Sequence, residues 1–121
     1  MSYVSFDDFK KMDIRVGTIR EIEPVEGTDK LLKCQVDFGF KPTEEGLEPE
    51  RDIRQIVSGI RDYYPEYEKL IGKQVLYIVN LEPRTIRGVE SHGMLMAVDG
   101  IDEAPVFLVP EKDVKSGSKI R

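Results

Sequence analysis

Arg84 and Arg87 are the side chains in this sequence whose type and spacing best suit chemistry on a ligand. They lie in residues 80–94, a run that also holds Asn80, Pro83, Gly88, Ser91, His92, Gly93 and Met94 between two apolar stretches. A guanidinium is a planar fork of N–H donors that pairs two-point with phosphate oxygens. Backbone beside Gly88 and Gly93 can approach a sugar–phosphate chain closely because no side chain intervenes. Ser91 and Asn80 add a hydroxyl and an amide. The same residue types also suit a hydrated surface loop whose glycines make turns, so spacing alone leaves both readings open. Length favours a binding role, because long ordered loops in small domains tend to be surfaces carried by a rigid scaffold.

Catalysis is a poor fit. His92 is the only histidine and therefore the only candidate imidazole base. Ser91 is its sequence neighbour, and neighbours on an extended chain point to opposite sides, which places them badly for proton transfer. His92 is read as a surface histidine or a nucleic-acid contact. One histidine and one cysteine make no metal-ligand constellation, and no cofactor is implied. Met94 and Met96, at strand spacing, suit the core; Met94 at the loop mouth also suits contact with a base or ribose.

With 121 residues and 40% hydrophobic content the chain suits one compact domain. The single Cys34 lies in an apolar run, so a buried, inert thiol and a reducing, cytoplasmic home are expected. No apolar stretch approaches membrane-spanning length, and the first residues lack the pattern of a signal peptide. The net charge of −5 argues against a general polyanion binder. Distribution matters more than the sum. Glutamates gather at Glu44, Glu45, Glu48 and Glu50, whereas Arg84 and Arg87 share a segment with only Glu82 and Glu90, so a local basic face on an acidic body is expected.

The elements that must carry this segment follow from pattern. Ser5 and Asp8 resemble a capping box, with Phe6, Phe9 and Met12 on one face of a short lead-in helix. Residues 14–25 are β-rich, with a parity break beside Gly17 that predicts a bulge. After a turn at 27–29, Leu32, Cys34, Val36 and Phe38 alternate with polar residues as a half-buried strand. Residues 40–52 read as a loop, 53–60 as a third strand and 62–71 as a helix with Pro65 near its start and Gly72 closing it. Residues 75–79, apolar on both faces, predict a central strand, and 94–98 a fifth; residues 106–109 form a last apolar run. The expectation is an all-β, five-stranded OB-fold barrel with a short helix between strands 3 and 4, plus N- and C-terminal extensions. Residues 1–6 form the lead-in and 7–121 the domain. In that fold the strand 1–2 and 4–5 loops, here 26–30 and 81–93, flank the ligand groove. Tyr63, Tyr64 and Tyr67 cluster on the predicted helix and there is no Trp, so shape and backbone recognition of folded RNA fits better than stacking on a single strand.

Four ordered motifs carry a resemblance: Asp13-Ile14-Arg15-Val16-Gly17, Thr28-Asp29-Lys30-Leu31, Gln55-Ile56-Val57-Ser58-Gly59-Ile60, and the run from Asn80 to Met94. Over residues 7 to 121 the chain resembles the tRNA-binding domain family. That family includes C-terminal domains and β subunits of methionyl-tRNA synthetases, free-standing structure-specific tRNA-binding proteins, the cytokine-precursor polypeptide of animal synthetase complexes and a bacterial secretion chaperone. The resemblance implies a non-catalytic OB-fold that binds the L-shaped body of tRNA, as a homodimer, in association with methionyl-tRNA synthetase. On matching positions it implies tRNA contacts at Lys30, Asn80, Arg84, Arg87, Ser91 and Met94. Asp29, Ser58, Gly88, His92 and Gly93 then line or support the groove.

The chain also departs from the family. Glu26-Gly27-Thr28 stands where His-Pro-Ala is frequent, Glu82 where lysine is common, and Thr85 where a second basic residue is common. Each lost phosphate contact lowers affinity and salt dependence. The alternative is a chaperone-like dimer that binds extended peptides; a third reading is a structural adaptor that docks a synthetase without RNA.

Overall fold

A computed structural model describes all 121 residues. The chain opens with α1 (Phe6–Lys10), whose N-cap Ser5 accepts a hydrogen bond from the Asp8 amide through its hydroxyl at 3.0 Å. This is half of the expected capping box. The Asp8 carboxylate instead takes Lys11 Nζ at 2.9 Å.

The strands follow as β1 (Ile14–Pro24), β2 (Leu32–Phe40), β3 (Arg51–Ser58), β4 (Gln74–Ile78), β5 (Arg84–Ile86), β6 (Val89–Ser91), β7 (Met94–Leu95), β8 (Ala97–Asp99) and β9 (Pro105–Phe107). Five of them form one sheet in the order β3-β2-β1-β4-β7, every mapped pair antiparallel. The long β1 lets that sheet curl: residues Ile14 to Thr18 pair with β4, and Thr18 to Pro24 pair with β2. The result is an all-β, OB-like half-barrel, consistent with the five-stranded OB-fold barrel expected from the strand order.

The alternation along β2 is borne out, with Leu32, Cys34, Val36 and Phe38 all buried. They pack with Ile19, Ile56, Leu70, Val75, Tyr77 and Val79, and Tyr77 meets Phe38 edge to face at 5.4 Å between ring centroids. Burying a side chain the size of Leu32 stabilises the fold by about 2 kcal/mol.

Several local expectations change. The β1 irregularity lies between Ile19 and Glu21, not beside Gly17. Gly17 is there for packing, because a Cβ would run into the Val36 and Phe38 side chains. The third strand starts and ends two residues earlier than predicted. The helix between β3 and β4 is two 3-10 turns, Arg61–Tyr63 and Tyr67–Leu70, rather than one run over 62–71. The reason is Pro65: the residue before a proline is pushed out of the α region, and Tyr64 sits at φ −132°, ψ 68°. Leu70 still reaches the core, and the Tyr64 hydroxyl donates to the Pro105 carbonyl at 2.7 Å while its ring stacks on Phe107.

The predicted fifth strand is broken at Met96 into β7 and β8, and β8 turns away to pair with β9. The C-terminal tail then runs along the free side of the start of β1. Val16 donates to Ser118 O at 2.9 Å, Gly117 to Val16 O at 2.7 Å and Ile120 to Ile14 O at 2.8 Å.

Candidate nucleic-acid interface

The segment predicted as a long loop contains a β-hairpin. β5 and β6 pair Arg84 with Ser91, Thr85 with Glu90 and Ile86 with Val89, leaving Arg87 and Gly88 as a two-residue turn. Both turn residues have positive φ, 52° and 80°, which is the pairing that matches the twist of a tight hairpin. The turn holds Arg87 at the tip.

The hairpin is fastened to β3. The buried Ser91 hydroxyl accepts from the Val57 amide at 3.0 Å and donates to Gly93 O at 3.2 Å. His92 N donates to Gln55 O at 2.8 Å, and the Gln55 side chain donates to Glu90 O at 2.8 Å. Gly93, at φ 153°, packs so closely that a Cβ would press on Ile56 and the Ile78 carbonyl. These bonds make a short hairpin into a fixed wall.

The wall faces residues 27–31, the connection between β1 and β2. A cleft of about 400 Å³ lies between them, lined by Gly27, Thr28, Asp29, Lys30 and Leu31 on one lip and by Ile86 and Arg87 on the other. The 27–31 lip is itself ordered: Thr28 N and Oγ1 both donate to Val25 O, and Val25 N donates to Leu31 O. Ile86 and Arg84 line a smaller hollow of about 50 Å³ with Val57, Ser91, Gly93 and Met94. Val57 and Met94 continue into a third depression, of about 240 Å³, that includes Ser58 and Gly59. The groove therefore runs from Lys30 and Arg87, past Arg84 and Met94, to Ser58.

The predicted site residues are not all alike in this geometry. Lys30, Arg84, Arg87, Asp29 and Met94 are exposed, and none of the four charged side chains has an ion-pair partner. Asn80 is committed elsewhere: its Oδ1 accepts from Asp13 N at 2.9 Å and its Nδ2 donates to Lys11 O at 2.6 Å, tying the end of β4 to the lead-in helix. Ser91 is likewise spent on anchoring the hairpin. His92 turns to a different cleft, of about 510 Å³, with Gln35, Lys41, Asp52, Arg54 and Glu90, and its Nε2 lies 3.4 Å from Glu90 Oε1.

The arginines of β1 and β3, away from the groove, are internally paired. Asp37, 2% exposed, takes Arg51 Nη2 at 2.7 Å, Arg20 Nη2 at 3.0 Å and the Gly39 amide at 2.8 Å. Burial pushes its carboxyl up, but the Arg51 fork, the Gly39 amide and Arg20 outweigh that and hold it below the usual carboxylate range. Asp13 is also held low, chiefly by the Arg15 guanidinium. Cys34 is buried with its thiol pushed up to about 12, an inert structural cysteine as expected. Sequence reading had no signal for the Asp37 cluster, because its members come from three strands.

The family model described as "Putative tRNA binding domain" matches residues 14–119. The methionine–tRNA ligase of Thermococcus kodakarensis is 44% identical over 121 residues, 100% of this chain and 15% of that protein. That of Methanothrix thermoacetophila is 47% identical over 118 residues, 98% of this chain and 16% of that protein. The chain thus spans about 15% of the length of the curated relatives it matches. Among solved structures, a MetRS-related protein from Pyrococcus horikoshii superposes with a TM-score of 0.80 at 34% identity, covering 100% of both chains. The chaperone CsaA from Bacillus anthracis superposes with a TM-score of 0.79 at 26% identity, covering 99% of this chain and 100% of that one.

Proposed function

The chain belongs to the tRNA-binding domain family, and from that premise we propose that it binds folded tRNA without catalysing a reaction, as an auxiliary domain or β subunit that adds tRNA affinity to a methionyl-tRNA synthetase. The observation that carries this reading is the cleft with Lys30 on one lip and Arg87 on the other, both without a carboxylate partner. Its two lips are ordered by backbone bonds, so little conformational freedom is lost when a phosphate strand enters. Arg84 and Met94 extend the contact along the hairpin, the first as a phosphate donor and the second against a ribose or base edge. Ser91 shapes the groove by anchoring the hairpin, Asn80 holds the chain before the hairpin to the lead-in, and Asp29, Ser58, Gly88 and Gly93 set the walls. His92 supports the hairpin from its far side.

Filter binding with bulk tRNA across a salt series tests the proposal. Affinity should fall steeply with salt, and replacing both Arg84 and Arg87 with alanine should weaken it and flatten the slope. A weak, salt-insensitive response that the double replacement leaves unchanged would sink the reading.

A homodimer is proposed with it. Phe6, Phe9 and Met12 of the lead-in are exposed and, with Ile14 and Ile120 of the tail, line an apolar groove of about 320 Å³ that a second copy would cover. Light scattering decides this: a clean monomer at micromolar concentration contradicts it.

The alternative is peptide binding in the manner of a chaperone. It is favoured by the likeness to the chaperone CsaA and by Glu82 and Thr85, which add no positive charge beside Arg84. It predicts suppression of client aggregation with little salt sensitivity. A cytoplasmic setting goes with either reading; no helix in the chain is long and apolar enough to cross a membrane.

A further inference from the structure

Eight of the 18 lysines and arginines form salt bridges, and these include every arginine on β1 and β3. Arg61 is different. It is the first residue of the 3-10 turn after β3, half-buried and without a carboxylate partner. Its backbone N–H donates to Lys30 O at 3.1 Å, and its Nη1 donates to Thr28 O at 3.3 Å. One residue therefore grips the 27–31 lip at two carbonyls, on either side of Asp29.

A carbonyl oxygen is a neutral acceptor, so the contact fixes the guanidinium without cancelling its charge. Four of the five N–H donors remain unused. Arg54 is a useful contrast: its Nε and Nη2 go to Asp52 and its Nη1 to Val79 O, leaving it no charge to offer. Arg61 is anchored to the lip that presents Lys30.

We propose that Arg61 is a further phosphate-binding side chain of the groove, taking a phosphodiester of the RNA strand that crosses the 27–31 lip. The proposal rests on the tRNA reading above. It also moves part of the electrostatic attraction from the hairpin, where Glu82 and Thr85 supply none, to the opposite lip. A half-held guanidinium suits this, because its planar fork is already oriented when the phosphate arrives.

The test separates charge from scaffolding. Arg61→Gln keeps an N–H donor for Thr28 O and removes the charge; Arg61→Lys keeps the charge and loses the fork. Binding of bulk tRNA is measured for both and for the wild type across a salt series, with thermal midpoints to show that each variant is folded. Arg61→Gln should weaken binding roughly five- to tenfold at about 0.1 M salt and lower the slope of log K against log salt by about one. Arg61→Lys should hold the wild-type slope. In wild-type protein the Arg61 Nε–Hε resonance should shift on adding tRNA and return as salt is raised. An Arg61→Gln variant with wild-type affinity and slope, equal losses in the two variants, or a resonance that does not move would each overturn the assignment. A wild type with no salt-dependent binding would instead overturn the tRNA reading itself, so the two failures are distinguishable.

Discussion

Asp37 at the end of β2 and the tip of the β5–β6 hairpin both involve arginine, and they use it in opposite ways. Around Asp37, Arg20 and Arg51 converge on one buried carboxylate, and their charge is consumed by the fold. At the groove, Arg84 and Arg87 stand exposed and form no salt bridge, so their charge stays available. An acidic chain can thus display a positive groove, because its structural arginines are neutralised where they sit while the groove cations are left unpaired. Net charge therefore says little about what this surface binds.

The strongest way to break the comparison is to remove the shared carboxylate. Asp37→Ala deletes the acceptor for two guanidiniums and for the Gly39 amide. Arg20 and Arg51 are half exposed and can rehydrate, so the cost lies near the low end for breaking a buried pair, about 3 kcal/mol. Urea unfolding should show that loss, and the protein that remains folded should bind tRNA as before. A parallel drop in affinity would mean that the two regions are not independent.

Arg84→Ala with Arg87→Ala is the reciprocal experiment. Both side chains are exposed and make no internal hydrogen bond, so the unfolding midpoint should stay within about 0.5 kcal/mol of wild type. Binding should weaken by about 2–3 kcal/mol with a salt slope lower by about two. Filter binding and urea titration on the same preparations check both halves.

Acid sharpens the contrast further. The Asp37 carboxyl is held below the ordinary range in the folded protein, so at low pH the unfolded chain binds the proton first. The stabilisation is fully present above about pH 4, the unfolded carboxylate value, and is lost as pH falls through the lower folded value. Wild-type stability should therefore fall on acidification in that window by more than that of Asp37→Asn, which has no carboxyl to protonate there. Equal slopes in the two proteins would remove Asp37 from the account.

How much of this could be read beforehand depends on whether the signal is periodic or tertiary. Leu32, Cys34, Val36 and Phe38 announce β2 because a half-buried strand must alternate, and all four are buried. The order of strands was enough for the barrel. The 62–71 helix failed on a single local fact, Tyr64 standing before Pro65. The hairpin was missed because its turn is Arg87-Gly88; arginine is an uncommon residue at positive φ, where asparagine or aspartate is the usual sign. Residue type flagged Ser91 and Asn80 as polar groups near a groove, but where a hydroxyl or amide spends its hydrogen bonds is decided by Val57, Asp13 and Lys11, which are distant in sequence. Arg61 carried no motif at all and is recognisable only from the two carbonyls it holds.

The smallest expected effect is also the most local. Gly88 has φ 80° and open space around the position of a Cβ, so Gly88→Ala meets no neighbour and is penalised only for its left-handed backbone, by about 1 kcal/mol. Gly117 has nearly the same φ, 88°, but a Cβ there would strike the Phe38 carbonyl where the tail crosses β2. Gly117→Ala should therefore cost clearly more in urea unfolding, since backbone must shift in addition to being strained. The functional readouts should rank the other way. Strain in the turn displaces Arg87 from the lip of its cleft, whereas the tail crossing touches no groove residue, so Gly88→Ala should weaken tRNA binding a fewfold and Gly117→Ala, while folded, should not. Gly117 would then be kept for room as well as direction, and Gly88 for direction alone.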